Sequence, residues 1–359
     1  MKRHTEMPPG HHFDVIIAGA GPVGLFLACE LGLAGVSVLV LERGASAASP
    51  WKAPGLGMRA LNTVAIEAFY RRGLLNSLFD PRERSSTFQE TSSFQYIESV
   101  LRKISGIDVS LESLLVASSF TDRAMQATSY RKGRVLLAGD SAHVHSPMGA
   151  QGLNTGIGDA INLGWKLAAV VHGSAPADLL DTYTQERHPV GAAVLEWSRA
   201  QVATLQPNPY GAALGKLIEG LLQTNDGTSA VVARIWGLSQ RYDLGDVHPL
   251  VGMSAPDFEL TDGTRLGLRL QSGRGLLVDF ANEASLAKPG LRWAPQVDFA
   301  SIRVRDTLGF SALLVRPDGV VAWVAQGPPE LGAAAAALSR WFGVSAGDRD
   351  IGAGRKDPV

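Results

Sequence analysis

Two clusters in this 359-residue chain have residue types and spacing that could do chemistry. The first is Gly19-Ala20-Gly21-Pro22-Val23-Gly24, placed directly after the apolar run 13–18. In that pattern Gly19 permits a tight turn, Gly21 lets the backbone approach a pyrophosphate, and Gly24 lets a helix pack close to a strand. Pro22 and Val23 then open a helix whose free N–H groups and partial positive charge face the phosphates. Glu42 follows about 20 residues on, where an acid can accept hydrogen bonds from a ribose, with Arg43 beside it. A glycine-rich turn that holds no nucleotide is the plainer alternative. The apolar run before the motif, the helix after it and the terminal acid weigh against that alternative. The second cluster is Gly139-Asp140-Ser141-Ala142-His143, continuing through His145, Pro147 and Gly149 to Gly152-Leu153-Asn154. Here the apolar run 134–138 delivers a carboxylate into a Gly/Pro loop.

Particular elements must position these residues. The Leu- and Ala-rich stretch 25–34 reads as a helix ended by Gly35, and 36–41 as a second apolar strand. Strand, turn, helix and strand make a βαβ unit of the expected length. Both strands are nearly continuous hydrophobes, as parallel strands covered on two faces should be. After the second cluster, residues 155–171 carry a helical spacing, with the helix starting near Gly152. Helices are also expected around 63–70 and 96–104. Cys29 falls within the first helix and reads as a small buried hydrophobe.

Taken together, the two clusters resemble the FAD-dependent aromatic hydroxylases, in particular those that tailor aromatic polyketides. The resemblance implies that FAD is held by Gly19, Gly21, Pro22, Val23, Gly24, Glu42, Arg43, Arg59, Gly139, Asp140, Pro147, Gly149, Gly152, Leu153 and Asn154. Within that set Asp140 would hold a ribityl hydroxyl, and the loop 147–154 would lie against the isoalloxazine. Backbone N–H groups near 152–154 would stabilise negative charge at flavin N1. Reduction by NADPH or NADH, oxygen addition to give a C4a-hydroperoxide and transfer of hydroxyl to an electron-rich ring would follow. The cofactor carries that chemistry, while the protein binds, orients and excludes water. No side-chain acid or base stands out, and Pro147 and Arg59 are the weak catalytic candidates. The segment 183–190, including Arg187, looks like one that these enzymes carry after the flavin helix, and packing and pairing are its expected role. The alternating His143 and His145 would admit a metal pair, but no cysteine or acid cluster completes a site.

Farther on, 214–222 and 230–238 have helical spacing, with Asn225-Asp226-Gly227 read as a turn between them. Strands are expected at 275–280 and 301–305. The runs 312–315 and 320–324 flank Pro317-Asp318-Gly319 and read as a hairpin. An Ala-rich helix covers 331–342. This order resembles a thioredoxin-like domain, yet the segment has no cysteine and cannot run dithiol exchange. The same count sets aside a peroxiredoxin-like reading of 254–260.

Composition narrows the partners. Lys and Arg number 33 against 34 Asp and Glu, and no basic stripe points to nucleic acid. The longest apolar runs are far short of a membrane span, and residues 1–12 read as a loose polar tail without a signal-peptide pattern. One cysteine excludes an intrachain disulfide. The resulting expectation is a cytoplasmic α/β protein with a Rossmann-like, glutathione-reductase-like parallel sheet. The flavin domain spans 13–76 and 130–200, a reduced substrate domain 77–129, a helical segment 201–246, the thioredoxin-like domain 247–345 and a tail 346–359. Its partners are a small aromatic substrate and molecular oxygen, with a homodimer as the oligomeric state. The family inserts a larger central domain than the roughly 90 residues that separate the two clusters here. A flavin-fold auxiliary or non-redox protein that has lost hydroxylation is therefore the second reading.

Overall fold

The computed structural model describes residues 12–44, 61–79, 94–112, 122–281 and 286–343. The chain opens with β1 (Val15–Ala18), α1 (Pro22–Leu33) and β2 (Val38–Leu41). β1 and β2 pair in parallel, from Val15 opposite Val38 to Ala18 opposite Leu41. The βαβ reading therefore holds, but among the described residues this parallel sheet has two strands. The run 134–138, expected to supply another strand, forms only β5 (Val135–Leu136). Lys132-Gly133 turns it back in antiparallel pairing on β4 (Arg131–Lys132), which leaves Val135 largely exposed. A second short pair joins β3 (Met125–Gln126) to β6 (His143–Val144).

α2 (Thr63–Arg71) begins where the Asn62 side chain accepts a hydrogen bond from the Ala65 N–H at 3.1 Å. α3 (Phe94–Ser105) follows. The long helices α4 (Gly152–Val171) and α5 (Asp181–Thr204) form the middle of the molecule. The first hydrophobic core gathers Ile17 of β1, Phe26, Leu27 and Leu31 of α1, Ala65 of α2 and Ile157, Ile161 and Leu163 of α4. Cys29 lies on the outer face of α1 and is exposed, which corrects the buried reading.

α6 (Pro209–Leu222) and α7 (Asn225–Trp236) make a helical hairpin. Asn225-Asp226-Gly227, expected as a turn, is instead the first turn of α7. Thr224 caps it by accepting from the Gly227 N–H at 3.1 Å, and Asp226 complements the helix dipole. The chain ends in a second core around β7 (Gly275–Asp279), α8 (Ala287–Arg292), β8 (Val297–Ser301), β9 (Ala312–Val315), β10 (Val321–Ala325) and α9 (Leu331–Phe342). The sheet order is β10-β9-β7-β8, with β7 and β8 parallel and the β9–β10 hairpin antiparallel. The expected strand at 301–305 is displaced to 297–301, because the parallel register runs from Gly275 opposite Val297 to Asp279 opposite Ser301.

Candidate active site

The first glycine cluster works as three separate devices. Gly19 has φ +118°, a conformation that side-chain-bearing residues rarely adopt, and its N–H donates to the Leu41 carbonyl at 2.7 Å. A Cβ on Gly24 would lie 2.1 Å from the Gly19 carbonyl oxygen, so only glycine lets α1 sit this close to the turn. Gly21 has an ordinary φ of −72°, and a Cβ there would meet nothing within 4 Å. Its backbone thus borders open space at the start of a helix with no acid in its first turn. That is a cradle for an anion. Glu42 is fixed beside it: one carboxylate oxygen accepts from the Ala20 N–H at 2.9 Å, the other from the Gly44 N–H at 2.8 Å. Arg43 is exposed next to Glu42. Arg59 lies outside the described residues.

The second cluster is locked to the first by one side chain. Val23, in the first turn of α1, fills the space that Cβ atoms on Gly139 and Gly156 would occupy, at 3.2 and 2.4 Å from its methyl carbon. Eight residues along α4, a Cβ on Gly164 would lie 2.6 Å from the Glu30 Cβ of α1. The contacts advance in the same direction along both helices, so α1 and α4 run parallel and present their N-termini at one end. Both positive dipole ends therefore lie at the same end of the packed pair.

Asp140 is exposed next to the buried Gly139. The turn that carries it is held from below by Asp159 of α4. One oxygen of that buried carboxylate takes the Gly139 N–H at 2.9 Å and His143 Nε2 at 2.8 Å, and the other takes Arg187 Nε at 2.8 Å. Burial pushes the Asp159 carboxyl up, but Arg187, His143 and the Gly139 N–H more than offset it and hold it below its ordinary value. Arg187 continues to the Thr155 carbonyl at 2.8 Å and the Tyr242 hydroxyl at 2.9 Å. Arg187 thus packs and pairs, as read from the sequence. Asp159 was missed there, although it recurs one helical face from Thr155 and Asn162.

In the loop, Pro147 and Gly149 are exposed and Gly152 and Leu153 half-buried. Ala150 has φ +53°, strained for a residue with a side chain, and such strain concentrates at functional loops. Asn154 is buried, donating to the Ala150 carbonyl at 2.9 Å and accepting the Asn62 N–H at 2.8 Å, so it ties the loop to α2. His145 Nδ1 lies 2.7 Å from the Ser146 carbonyl, and burial holds its ring below the ordinary histidine range. Among the described residues no group of three or more potential ligands could hold a metal ion. No helix among them is long and apolar enough to cross a membrane.

The geometry fits FAD: a backbone cradle at Gly21 with Glu42 fixed beside it, an exposed Asp140 on the second turn, and a second helix start at Gly152 with no acid in its first turn. Residues 12–95 and 77–198 match the FAD binding domain model, and 248–345 match the aromatic-ring hydroxylase C-terminal model. The chain belongs to the FAD-dependent aromatic-ring hydroxylases. A monooxygenase of Claviceps purpurea (strain 20.1) is 36% identical over 493 aligned positions, taking in 92% of this chain and 97% of that protein. The alignment exceeds the 359 residues present and so bridges a long stretch that this chain lacks. The 12-dehydrotetracycline 5-monooxygenase/anhydrotetracycline 6-monooxygenase of Streptomyces rimosus is 40% identical over 257 residues, covering 69% of this chain and 51% of that one. The chain thus spans about half the length of that curated relative. The structure of OxyS anhydrotetracycline hydroxylase from Streptomyces rimosus superposes with a TM-score of 0.83 at 28% identity, covering 93% of this chain and 100% of that chain.

Proposed function

We propose that this flavoprotein is a monooxygenase that hydroxylates an electron-rich aromatic ring of a polyketide or related phenolic natural product. The carrying observation is the pair of parallel helix starts, at Gly21 and Gly152, brought to one end of the molecule by the packing of Val23 on Gly139 and Gly156. In this reading the α1 N-terminus holds the pyrophosphate of FAD, and Glu42 takes a ribose. Asp140 accepts from the ribityl chain, and the N–H groups of Gly152, Leu153 and Asn154 face the pyrimidine edge of the flavin. Pro147 and Gly149 border the ring, while Arg43 and Arg59 complete the cofactor set. Bound FAD supplies the transfer of electrons from NADPH or NADH to molecular oxygen, with one oxygen atom going to the ring and the other leaving as water.

The overlap of the two matched segments at 77–95, and the stretch bridged in the Claviceps alignment, support a shortened central region at 77–129. The β8-β7-β9-β10 order and the closing helix α9 support a thioredoxin-like C-terminal unit over 247–345, one whose role is structural since it has no thiol pair. A cytoplasmic location and a homodimer complete the reading, the latter supported by the exposed Leu214, Leu217 and Leu221 along α6.

The deciding experiment mixes the purified protein anaerobically with NADPH, with and without aromatic polyketides, and follows flavin absorbance. Bleaching accelerated by a polyketide, and oxygen uptake once air is admitted, are expected. Protein that takes up no FAD, or flavin that no nicotinamide reduces, overturns the assignment and favours an auxiliary role.

A further inference from the structure

A cavity of about 360 Å³ lies against the first turn of α4, bounded by α5, α7 and the start of α2. Its α5 wall is apolar, formed by Pro189, Val190, Ala193, Val194 and Trp197. The Arg234 guanidinium of α7 sits over the Trp197 ring, 5.5 Å from its centroid. Arg241 also lines the cavity, and its guanidinium donates to the carbonyls of Val251, Asp246 and His248. Among the described residues no Asp or Glu lines the cavity, and neither arginine is in a salt bridge. Two guanidinium groups without a carboxylate, beside a tryptophan face, make a place for a flat anion. Guanidinium groups bind planar oxyanions bidentately and stack on π-systems. Opposite them, Gln151 and Asn154 of the loop that the proposed function sets against the flavin form the other wall.

We infer that this cavity is a binding site for a planar aromatic anion, a phenolate, enolate or aryl carboxylate, held by Arg234 and Arg241 against Trp197. The inference rests on the flavin reading for its meaning: a substrate seated here would lie beside the loop 147–154. It also answers how a chain with a shortened central region can retain an aromatic substrate, by using α5 and α7 in its place. An electron-rich ring is most reactive as its phenolate, so a site that favours the anion also favours the form that accepts oxygen.

The test measures equilibrium binding of anthraquinone-2-carboxylate and of its neutral carboxamide to the FAD-loaded full chain, by quenching of tryptophan fluorescence and by calorimetry. The carboxylate should bind about tenfold tighter than the carboxamide, the advantage shrinking with added salt. Arg234→Gln and Arg241→Gln should each weaken the carboxylate about fivefold and leave the carboxamide within about twofold, as expected for charges at a partly open rim. Both variants should keep their FAD, since neither arginine belongs to the cofactor groove, and Arg241→Gln should lower the melting temperature because the carbonyls of Val251, Asp246 and His248 lose their donor. Equal affinity for the two probes, or no effect of either substitution, overturns the inference. Because binding is read without turnover, that failure is separate from a failure of the hydroxylase reading, which shows as loss of FAD or of reduction by NADPH.

Discussion

At the scale of single residues, the three glycines of the first cluster have different physical reasons to be glycine. Gly19 needs its positive φ, and Gly24 needs the absence of a Cβ against a backbone oxygen. Gly21 needs neither, for its φ is ordinary and a Cβ there would meet nothing within 4 Å among the described residues. Under the proposed function, the constraint on Gly21 is the pyrophosphate of the cofactor. Gly21→Val should therefore leave the fold intact, with a melting temperature near that of the parent apoprotein, while abolishing FAD retention through gel filtration. A variant that still purified loaded with FAD would show that the pyrophosphate lies elsewhere. Asp140 and Asp159 show a complementary contrast. Asp140 is exposed, and the proposed function gives it a ribityl hydroxyl, whereas the buried Asp159 spends its oxygens holding the turn that carries Asp140.

At the scale of elements, the site depends on how close α1 comes to α4. Gly156 and Gly164 remove the side chains that would hold the helices apart, and Val23 and Glu30 fill that space. Gly156→Leu should force the first turn of α1 away from Gly139, costing about 1–3 kcal/mol as overpacking typically does. FAD affinity should fall with it, because the two helix starts no longer face one groove. The comparison variant is Gly32→Ala. It lies inside α1, where a Cβ meets nothing within 4 Å, and should stabilise the fold by up to about 1 kcal/mol. Urea unfolding of both variants checks the pair, and equal stabilities would remove the argument from helix approach.

At the scale of the whole molecule, the two hydrophobic cores meet across a buried charge cluster. Glu186 of α5 accepts from Arg316 at 2.7 and 2.9 Å and from Asn162 at 2.6 Å, with Lys166 Nζ 3.0 Å away; Asp318 also pairs with Arg316. Arg72 adds a second tie, pairing with Glu30 and donating to the carbonyls of Leu270 and Pro317. Burial raises the Glu186 carboxyl, but Arg316 and Lys166 outweigh it and bring it down to about 2 from 4.5. A carboxyl depressed in the folded state stabilises fully above its unfolded value and loses that contribution as pH falls through the folded one. Melting temperature should therefore drop between pH 4.5 and 2. Glu186→Gln, less stable near neutrality because it leaves Arg316 and Lys166 short of charge, should show a shallower drop across that window. Parallel acid limbs for the two proteins would mean that Glu186 is not the group lost.

Much of this was legible from residues alone because it depends on local spacing. The βαβ unit, the reach to Glu42, the start of α4 at Gly152, the β9–β10 hairpin and α9 follow from short-range pattern and turn chemistry. What escaped depends on contacts between distant segments. The run 134–138 looks like a buried strand by composition, yet Gly133 folds it into a hairpin. Asn225-Asp226-Gly227 looks like a turn until Thr224 caps it as a helix. Cys29 has an apolar neighbourhood in the chain but an outward position on α1. The clamp of Asp159 on the Gly139 N–H, the Val23 wedge against Gly156 and the stacking of Arg234 on Trp197 join residues 20, 133 and 37 positions apart. Chain order therefore set which groups could bind a dinucleotide. Only tertiary packing decided that both helix starts lie at one end, because side-chain volume and buried charge, not spacing, determine how closely remote elements approach.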